Sequence, residues 1–372
     1  MSVTEFPKVR DMTGGARRLP IEIDGSSVYE MLITLWLAFD PDEEHNGFEL
    51  GTEWFDEIVT ATPADLREEI EFLSGAGCGG FCALRGLVVA SPHPHDITTF
   101  LSWLERVEPA ILRQGMVTYL CPSVPEPELV DRAARGDTEA LEAIFVDKPE
   151  LVPHLHNVLS LAEGELRERM VRALRRFHVE VYSRYEADFS SSTTRAAAAR
   201  KALVRGADPE RVIEEVTNGL DYRIPPGVSR LVLVPSVVLR PWALIDRYED
   251  VLMVAYPVAD EFIDADPDAP PSWVVKLHKA LADERRLRIL RRLSEGGAGL
   301  DDLAEMLGLT KSTVHHHVGL LRAAGLVRVS VDHESGSKTY ALRPSVLPEA
   351  ARTLNDYLKT DTVEEPTGIA RS

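Results

Sequence analysis

The chain has 372 residues, which is too long for one compact core and predicts two or three domains. Its 44% hydrophobic and 27% charged residues are typical of a globular protein and exclude a disordered chain. No apolar stretch reaches the roughly 20 residues of a membrane span, and the N-terminus lacks the apolar core of a secretory signal. Three cysteines are too few for a disulfide framework. We therefore expect a cytoplasmic protein with no membrane partner.

The charge is unevenly distributed along the chain. A formal net charge of −19 argues against nucleic acid, because phosphates select for basic surfaces. However, residues 272–345 hold 12 Lys and Arg against 8 Asp and Glu, a net of +4, and five of the 11 histidines. The remaining residues hold 29 against 52, a net of −23. The acidity therefore belongs to the rest of the protein, and the C-terminal block remains a candidate for DNA binding.

Residues 1–19 are predicted to form a flexible tail and residues 20–256 a mostly helical domain for sensing or dimerisation. Apolar residues at helical spacing follow typical helix-start residues at Ser26, Thr62, Asp96 and Asp137. A long helical pattern, continuous or broken, covers 158–189, and another covers 208–216. Residues 231–239 and 251–256, rich in Val and Leu, predict two strands that form a hairpin with a long connection. The predicted fold class is mainly α with small β content (α+β).

Residues 257–271 are predicted to be an interdomain linker. Their sequence, PVADEFIDADPDAPP, is acidic, rich in proline and poor in apolar residues. After the block at 272–345, residues 352–358 predict a short helix, and residues 346–372 as a whole are assigned to this helix and a tail.

Residues 272–345 predict short helices followed by a two-stranded ribbon. The helices cover 273–281, 284–293, 300–306 and 311–324, with Asp283 and Thr310 as N-caps and Gly308 in a tight helix-helix turn. Strands at 327–331 and 339–342 flank a hairpin loop at 332–338. This order of elements is that of a winged helix-turn-helix.

The helix over 311–324 separates into two faces. Val314, His317, Val318 and Leu321 recur at intervals of three or four and face the core. The opposite side of its first turns is polar, and in a recognition helix that side meets base edges in the major groove. With the cap and the wing added, the candidate DNA-binding residues are Thr310, Lys311, Ser312, Thr313, His315, His316, His333 and Lys338.

Over this fifth of the chain, the ordered set of motifs resembles the ArsR-type winged-helix repressors. The matching strings are Ala280-Leu281-Ala282-Asp283, Arg286-Leu287-Arg288-Ile289-Leu290, Leu303-Ala304, the stretch LTKSTVHHHVGLL at 309–321, and Ala324-Gly325-Leu326-Val327. The resemblance implies a homodimer that reads a pseudo-palindromic operator, usually as a repressor, and that releases DNA when an unidentified small-molecule effector binds.

The chain departs from the metal-sensing members of that family. Those members carry cysteines on the helix equivalent to 300–307, or an acidic and histidine set on the last helix. Here residues 272–372 contain no cysteine, and 352–358 offers only Asp356. Consecutive helical residues point about 100° apart, so the three histidines at 315–317 cannot easily converge on one ion. We therefore expect no metal and no cofactor. In the wing, Asp332 and Glu334 would repel phosphate, so its contact with DNA is expected from His333 and Lys338.

Several features have more than one interpretation. The N-terminal domain is either a sensor that encloses an effector or a dimerisation scaffold; its segments SVYEML (27–32) and LRPW (239–242) loosely resemble the helical region ahead of winged helices in some actinobacterial regulators. The arginines of 284–293 form either a solvated face or phosphate contacts. Cys78 and Cys82, spaced by four, are interpreted as free thiols, and His93 and His95 as surface loop residues.

The functional prediction is a DNA-binding transcriptional regulator and not an enzyme, because no nucleophile elbow, P-loop, dinucleotide-binding or zinc-protease motif is present. The alternative is a winged-helix module that binds proteins without specific DNA recognition, which the net charge of −19 would favour.

Overall fold

The computed structural model describes residues 19–40, 45, 48–74, 79–120, 126–162, 164–202, 204–263, 270, 272–331, 337–344 and 346–358. In the N-terminal region (19–263), the helices are α1 (Ser27–Phe39), α2 (Gly51–Ala61), α3 (Ala64–Ser74), α4 (Gly79–Ala90), α5 (Ile97–Leu104), α6 (Pro109–Leu120), α7 (Pro127–Ala133), α8 (Thr138–Ile144), α9 (Val152–Leu159), α10 (Glu165–Phe177), α11 (Ser183–Arg200) and α12 (Pro209–Val216). The strands are β1 (Ile21–Ile23), β2 (Leu220–Asp221), β3 (Arg230–Ser236), β4 (Leu244–Tyr248) and β5 (Val251–Pro257). The C-terminal elements are α13 (Ser272–Leu281), α14 (Glu284–Ser294), α15 (Leu300–Leu307), α16 (Lys311–Ala323), β6 (Val327–Val331), β7 (Lys338–Leu342) and α17 (Val346–Leu358). The predicted α+β class is confirmed.

Helix α1 is the centre of the N-terminal region. Its sequence is apolar on nearly every side, and Val28, Met31, Leu32 and Leu35 are fully buried. Helices α2, α4, α5 and α11 pack around it, as expected for a helix with no polar face. None of the described helices has the length and hydrophobicity needed to cross a membrane.

The pairing of strands in the N-terminal sheet differs from the predicted hairpin. The strand order is β1-β3-β5-β4, and β3 pairs with β5 in parallel, with Arg230 opposite Val251. The antiparallel partner of β5 is β4, across a turn at Glu249, whose φ is 51°. The prediction that 231–239 and 251–256 form a hairpin was wrong because both strands are buried on two faces, between the helical core and α12. A parallel strand of that kind is a continuous apolar run and carries no alternation that would identify its partner.

The C-terminal elements form the predicted winged helix, with one addition. Strand β2, which lies between β1 and β3 in the chain, pairs in parallel with β6 and makes the wing three-stranded, with Leu220 opposite Val329. The Val329 amide donates to the carbonyl oxygen of Gly219 at 2.9 Å, and the side chain of Leu220 is buried in the winged-helix core. The last helix, α17, begins at residue 346 and is longer than the predicted turn at 352–358.

Part of the segment interpreted as a linker is packed. Val258 is buried, and the guanidinium of Arg240 bonds to the Val258 carbonyl and pairs with Asp260. The chain is therefore held against the N-terminal region as far as residue 263. Residues 264–269 and 271, the tails 1–18 and 359–372, and Cys78, Cys121 and His333 lie outside the described residues. Cys82 is a buried thiol that is not part of a disulfide, which agrees with its interpretation.

Candidate nucleic-acid interface

Helix α16 begins at a well-formed cap. Gly308 adopts a left-handed conformation with φ 65°, which ends α15 and turns the chain sharply. Thr310 is extended, and its hydroxyl accepts a hydrogen bond from the Thr313 amide at 3.3 Å. The same hydroxyl lies 3.1 Å from that of Ser312 and 2.8 Å from that of Thr313. The three hydroxyls thus form one exposed polar cluster at the positively polarised end of the helix.

The two faces of α16 are those predicted from its periodicity. Val314, Val318 and Leu321 are buried, and His317 is buried with them. The predicted reading residues Lys311, Ser312, His315 and His316 are all exposed, and Thr313 is half-buried. The first two turns of α16 therefore present hydroxyl, ammonium and imidazole groups to solvent.

His317 is a packing residue and not a partner of its two neighbours. Burial lowers its pKa, although the nearby charge of Asp283 opposes that effect. Its Nδ1 has no hydrogen-bond partner within the part of the chain that the structure describes. The His316 and His317 ring centres are 6.2 Å apart, and one ring faces solvent while the other faces the core, so the histidine triplet diverges.

Lys311 has a partner that the sequence analysis missed. Its Nζ lies 2.6 Å from a carboxylate oxygen of Asp301 at the start of α15, and the two side chains are 68% and 71% exposed. An exposed pair of this kind is weak and exchanges readily with other ions. A carboxylate beside the first cation of α16 reduces the attraction of this face for phosphate. In the sequence, the two acidic residues that follow Leu300 were the signal that could have indicated this pair.

The arginines of α14 have different roles. Arg286 bonds to the carbonyl oxygens of Ala280 at 2.7 Å and Lys279 at 2.9 Å, so it joins α14 to the end of α13. Arg288 pairs with Glu284 one turn away at 2.6 Å. Arg285 is exposed and, among the described residues, forms no ion pair. Of this helix face, Arg286 is structural and Arg285 is the cation most available to a phosphate.

In the wing, Lys338 is exposed at the start of β7, opposite Val331. Its position at the end of the ribbon nearest the hairpin loop is the one from which a wing reaches a flanking backbone. His333, the other candidate in the wing, lies outside the described residues.

The N-terminal region contacts α16 at the end opposite the candidate reading face. The Trp242 ring packs against Gly319, where a first side-chain carbon would lie 3.2 Å from the ring, and the Arg322 guanidinium lies 5.5 Å from the ring centre. Glu49 pairs with Arg240 at 2.7 Å and also with Lys276 of α13. These contacts fix the winged helix on the N-terminal region while the first turns of α16 remain exposed.

Comparison with known proteins gives matches to the helix-turn-helix class. The family model HTH_20, described as a helix-turn-helix domain, matches residues 281–330. The HTH-type transcriptional regulator CmtR of Mycobacterium tuberculosis is 37% identical over 95 residues, which cover 26% of this chain and 79% of that protein. The transcriptional repressor SdpR of Bacillus subtilis is 28% identical over 81 residues, 22% of this chain and 87% of that protein. Among solved structures, HlyU from Vibrio cholerae is 31% identical, covers 23% of this chain and 90% of its own, and has a TM-score of 0.19.

Proposed function

The chain belongs, through its C-terminal part, to the ArsR-type family of winged helix-turn-helix transcriptional regulators, and we propose that it is a homodimeric repressor that reads a pseudo-palindromic operator with α16. In this proposal two copies of α16 enter successive major grooves, about 34 Å apart. The wings contact the flanking backbone through Lys338 and His333. The protein acts in the cytoplasm, and no catalytic step is part of the proposal.

The observation that carries the proposal is the exposed polar surface on the first two turns of α16. Hydroxyl, ammonium and imidazole groups are the donors and acceptors that discriminate bases in the major groove. The contact with Trp242 lies at the other end of the helix, next to Gly319, so it does not compete with DNA for this surface. The net charge of +4 on residues 272–345 favours the same partner.

Dimerisation is supported by the apolar residues that α17 leaves in solvent. Leu347 is 44% exposed and Leu358 is 55% exposed, on a helix that packs against α13 with its other face. The two leucines are eleven residues apart, about three turns, so they lie on the same side of α17, where a second copy that packs on this helix would cover both. We expect sedimentation of the wild type as a dimer, and of the double variant Leu347→Glu/Leu358→Glu as a monomer. A monomeric wild type would contradict this assignment.

The function is tested by fluorescence anisotropy of the full chain with duplexes tiled across its own promoter, against scrambled DNA, at two salt concentrations. We expect sequence-selective binding. His316→Ala and Ser312→Ala should each lower the preference for the operator by about 1–3 kcal/mol if they lose a base contact. Lys338→Ala should weaken all sequences alike and reduce the salt slope by about 1.

The control is Arg135→Ala, which removes an exposed charge from the N-terminal region and should leave the preference for the operator and the salt slope unchanged. Binding to the promoter no better than to scrambled DNA would favour the protein-interaction module instead. An unchanged preference in both His316→Ala and Ser312→Ala would show that the reading face lies elsewhere on the winged helix.

A further inference from the structure

A groove of about 870 Å³ opens on the surface of the N-terminal region, and all of its lining residues precede the winged helix in the sequence. Its walls are β1, the loop before α5, one face of α11 and the segment 204–207. The volume is that of a site for a small organic molecule. Ile21, Ile23, Pro94, Ala197 and Val204 form the apolar part of a lining that also contains polar and charged residues.

The back of the groove contains a buried ion pair. Nδ1 of His95 bonds to the Asp24 carboxylate, and Nε2 lies 3.2 Å from the carbonyl oxygen of Ser91. Both ring nitrogens thus face oxygen acceptors, an arrangement that the doubly protonated ring satisfies. Burial opposes the charge, but the bond to Asp24 outweighs it and raises the pKa of His95. The Asp24 carboxylate is neutralised inside the protein and has no need of a cationic ligand.

The other two carboxylates of the groove are also satisfied internally. Glu22 pairs with Arg230 at 3.1 Å and lies 3.5 Å from His93. Asp96 caps α5 by accepting hydrogen bonds from the Thr99 amide and hydroxyl, both at 2.8 Å. The acidic residues of the groove therefore attract little additional positive charge.

The cations at the rim are not satisfied in this way. Lys201, which follows α11, and Arg205 both line the groove and are exposed. Among the described residues, neither forms an ion pair or a side-chain hydrogen bond. A groove with apolar walls on one part, paired carboxylates, and unpaired ammonium and guanidinium groups at its rim is suited to a molecule with an apolar body and one anionic group.

The wall that carries Arg205 leads directly to the wing. Segment 204–207 continues into α12, whose Val212, Ile213 and Val216 pack on the back of the N-terminal sheet. Strand β2 follows α12 within four residues and is hydrogen-bonded to β6 of the wing. Along the chain, one helix therefore lies between the groove and the DNA-binding ribbon.

We propose that this groove is the effector site of the regulator, that it binds a small apolar carboxylate through Lys201 and Arg205, and that α12 and β2 transmit its occupancy to the wing. The transmission step rests on the proposed function, because an effector acts only on a chain that binds DNA. The binding step stands independently of it.

Binding is tested on the full chain with the dye 1-anilinonaphthalene-8-sulfonate, an apolar anion whose fluorescence rises when it leaves water. Octanoate and its neutral analogue octanamide serve as competitors. The variant Lys201→Glu/Arg205→Glu should bind the dye at least about tenfold more weakly than the wild type. The matched control Arg135→Glu/Lys148→Glu makes the same charge change at exposed positions outside the groove and should bind as the wild type does. Circular dichroism verifies that both variants are folded.

Octanoate should displace the dye at a concentration at least about tenfold lower than octanamide does. Equal dye binding by the two double variants, equal competition by the two competitors, or no dye binding by the wild type would each overturn the site.

Saturating octanoate should change the promoter affinity of the wild type at least about threefold and leave that of Lys201→Glu/Arg205→Glu unchanged. Equal responses of the two proteins would overturn the transmission step. If the wild type binds the dye but no DNA, the proposed function fails and the site stands. If it binds DNA but no dye, the site fails and the function stands.

Discussion

Glu30 is a buried carboxyl group whose effect on stability can be calculated. Its Oε1 accepts hydrogen bonds from the amides of Val237 at 2.7 Å and Val238 at 2.8 Å, and its Oε2 has no partner among the described residues. Burial raises the pKa of Glu30 from 4.5 to about 7, against the opposing effect of the hydrogen bonds from Ser236 and the two amides. The group is therefore ionised more easily in the unfolded chain than in the folded protein.

The pH dependence follows from this difference. Below about pH 4.5 the carboxyl is protonated in both states and has no effect. Between pH 4.5 and about 7 the unfolded chain releases the proton and the folded protein keeps it, so the free energy of unfolding falls as the pH rises. Above about pH 7 the loss levels off near 3 kcal/mol, since one pKa unit corresponds to about 1.4 kcal/mol.

Glu30→Gln retains the oxygen that accepts the two amides and removes the ionisation. We expect the variant to match the wild type at pH 4.5 and to exceed its free energy of unfolding by up to about 3 kcal/mol at pH 8. The assay is guanidinium denaturation at both pH values, followed by the fluorescence of the five tryptophans, of which Trp36 lies on the same helix. Taking the difference between the two proteins cancels the titration of other groups.

Glu30→Leu provides the control. It removes the acceptor, leaves two buried amides without partners, and should destabilise the protein at both pH values by about 1–3 kcal/mol for each amide. A stability difference between wild type and Glu30→Gln that is the same at pH 4.5 and pH 8 would refute the reasoning.

Three further predictions concern the winged helix. Asp301→Asn removes the carboxylate 2.6 Å from the first cation of α16 and should raise the affinity for promoter and scrambled DNA alike, as anisotropy would show; unchanged affinity for both would contradict it. Gly219→Ala should lower the stability of the winged helix by about 2 kcal/mol, because φ is +103° and the new carbon would lie 3.1 Å from Cβ of Arg328 and 2.7 Å from the side chain of Arg343, which would have to move. Gly308→Ala, at φ +65° with open space, should cost about 1 kcal/mol. Equal shifts in the melting temperature would show that crowding at Gly219 is unimportant. Burial lowers the pKa of His317, so as the pH falls below about 6.5 its imidazole takes up a proton in the unfolded chain before it does so in the folded protein, and the free energy of unfolding declines. His317→Leu should abolish the share of this decline that is due to His317, as a pH series of thermal melts would show.

The sequence by itself determined the winged helix and its exposed face. The helices of 272–345, the cap at Thr310 and the turn at Gly308 all depend on interactions within a few residues, and helical periodicity records which side of each helix is buried. The exposure of Lys311 and His316 followed from the same periodicity. These features could be predicted because their causes are local in the chain.

Only the tertiary structure decided which strands pair and where the two parts of the protein meet. Leu220 lies opposite Val329, more than a hundred residues away, and a strand of two residues has no periodicity that could identify its partner. The parallel pairing of β3 with β5 and the packing of Trp242 on Gly319 also join segments that are separated in the chain, such as Arg230 and Val251. A fragment that begins at residue 261 would therefore lack a strand and a core residue of its own winged helix, although the sequence suggests a boundary there. Strand pairing is fixed by contacts between distant segments, and single residues carry no record of those contacts.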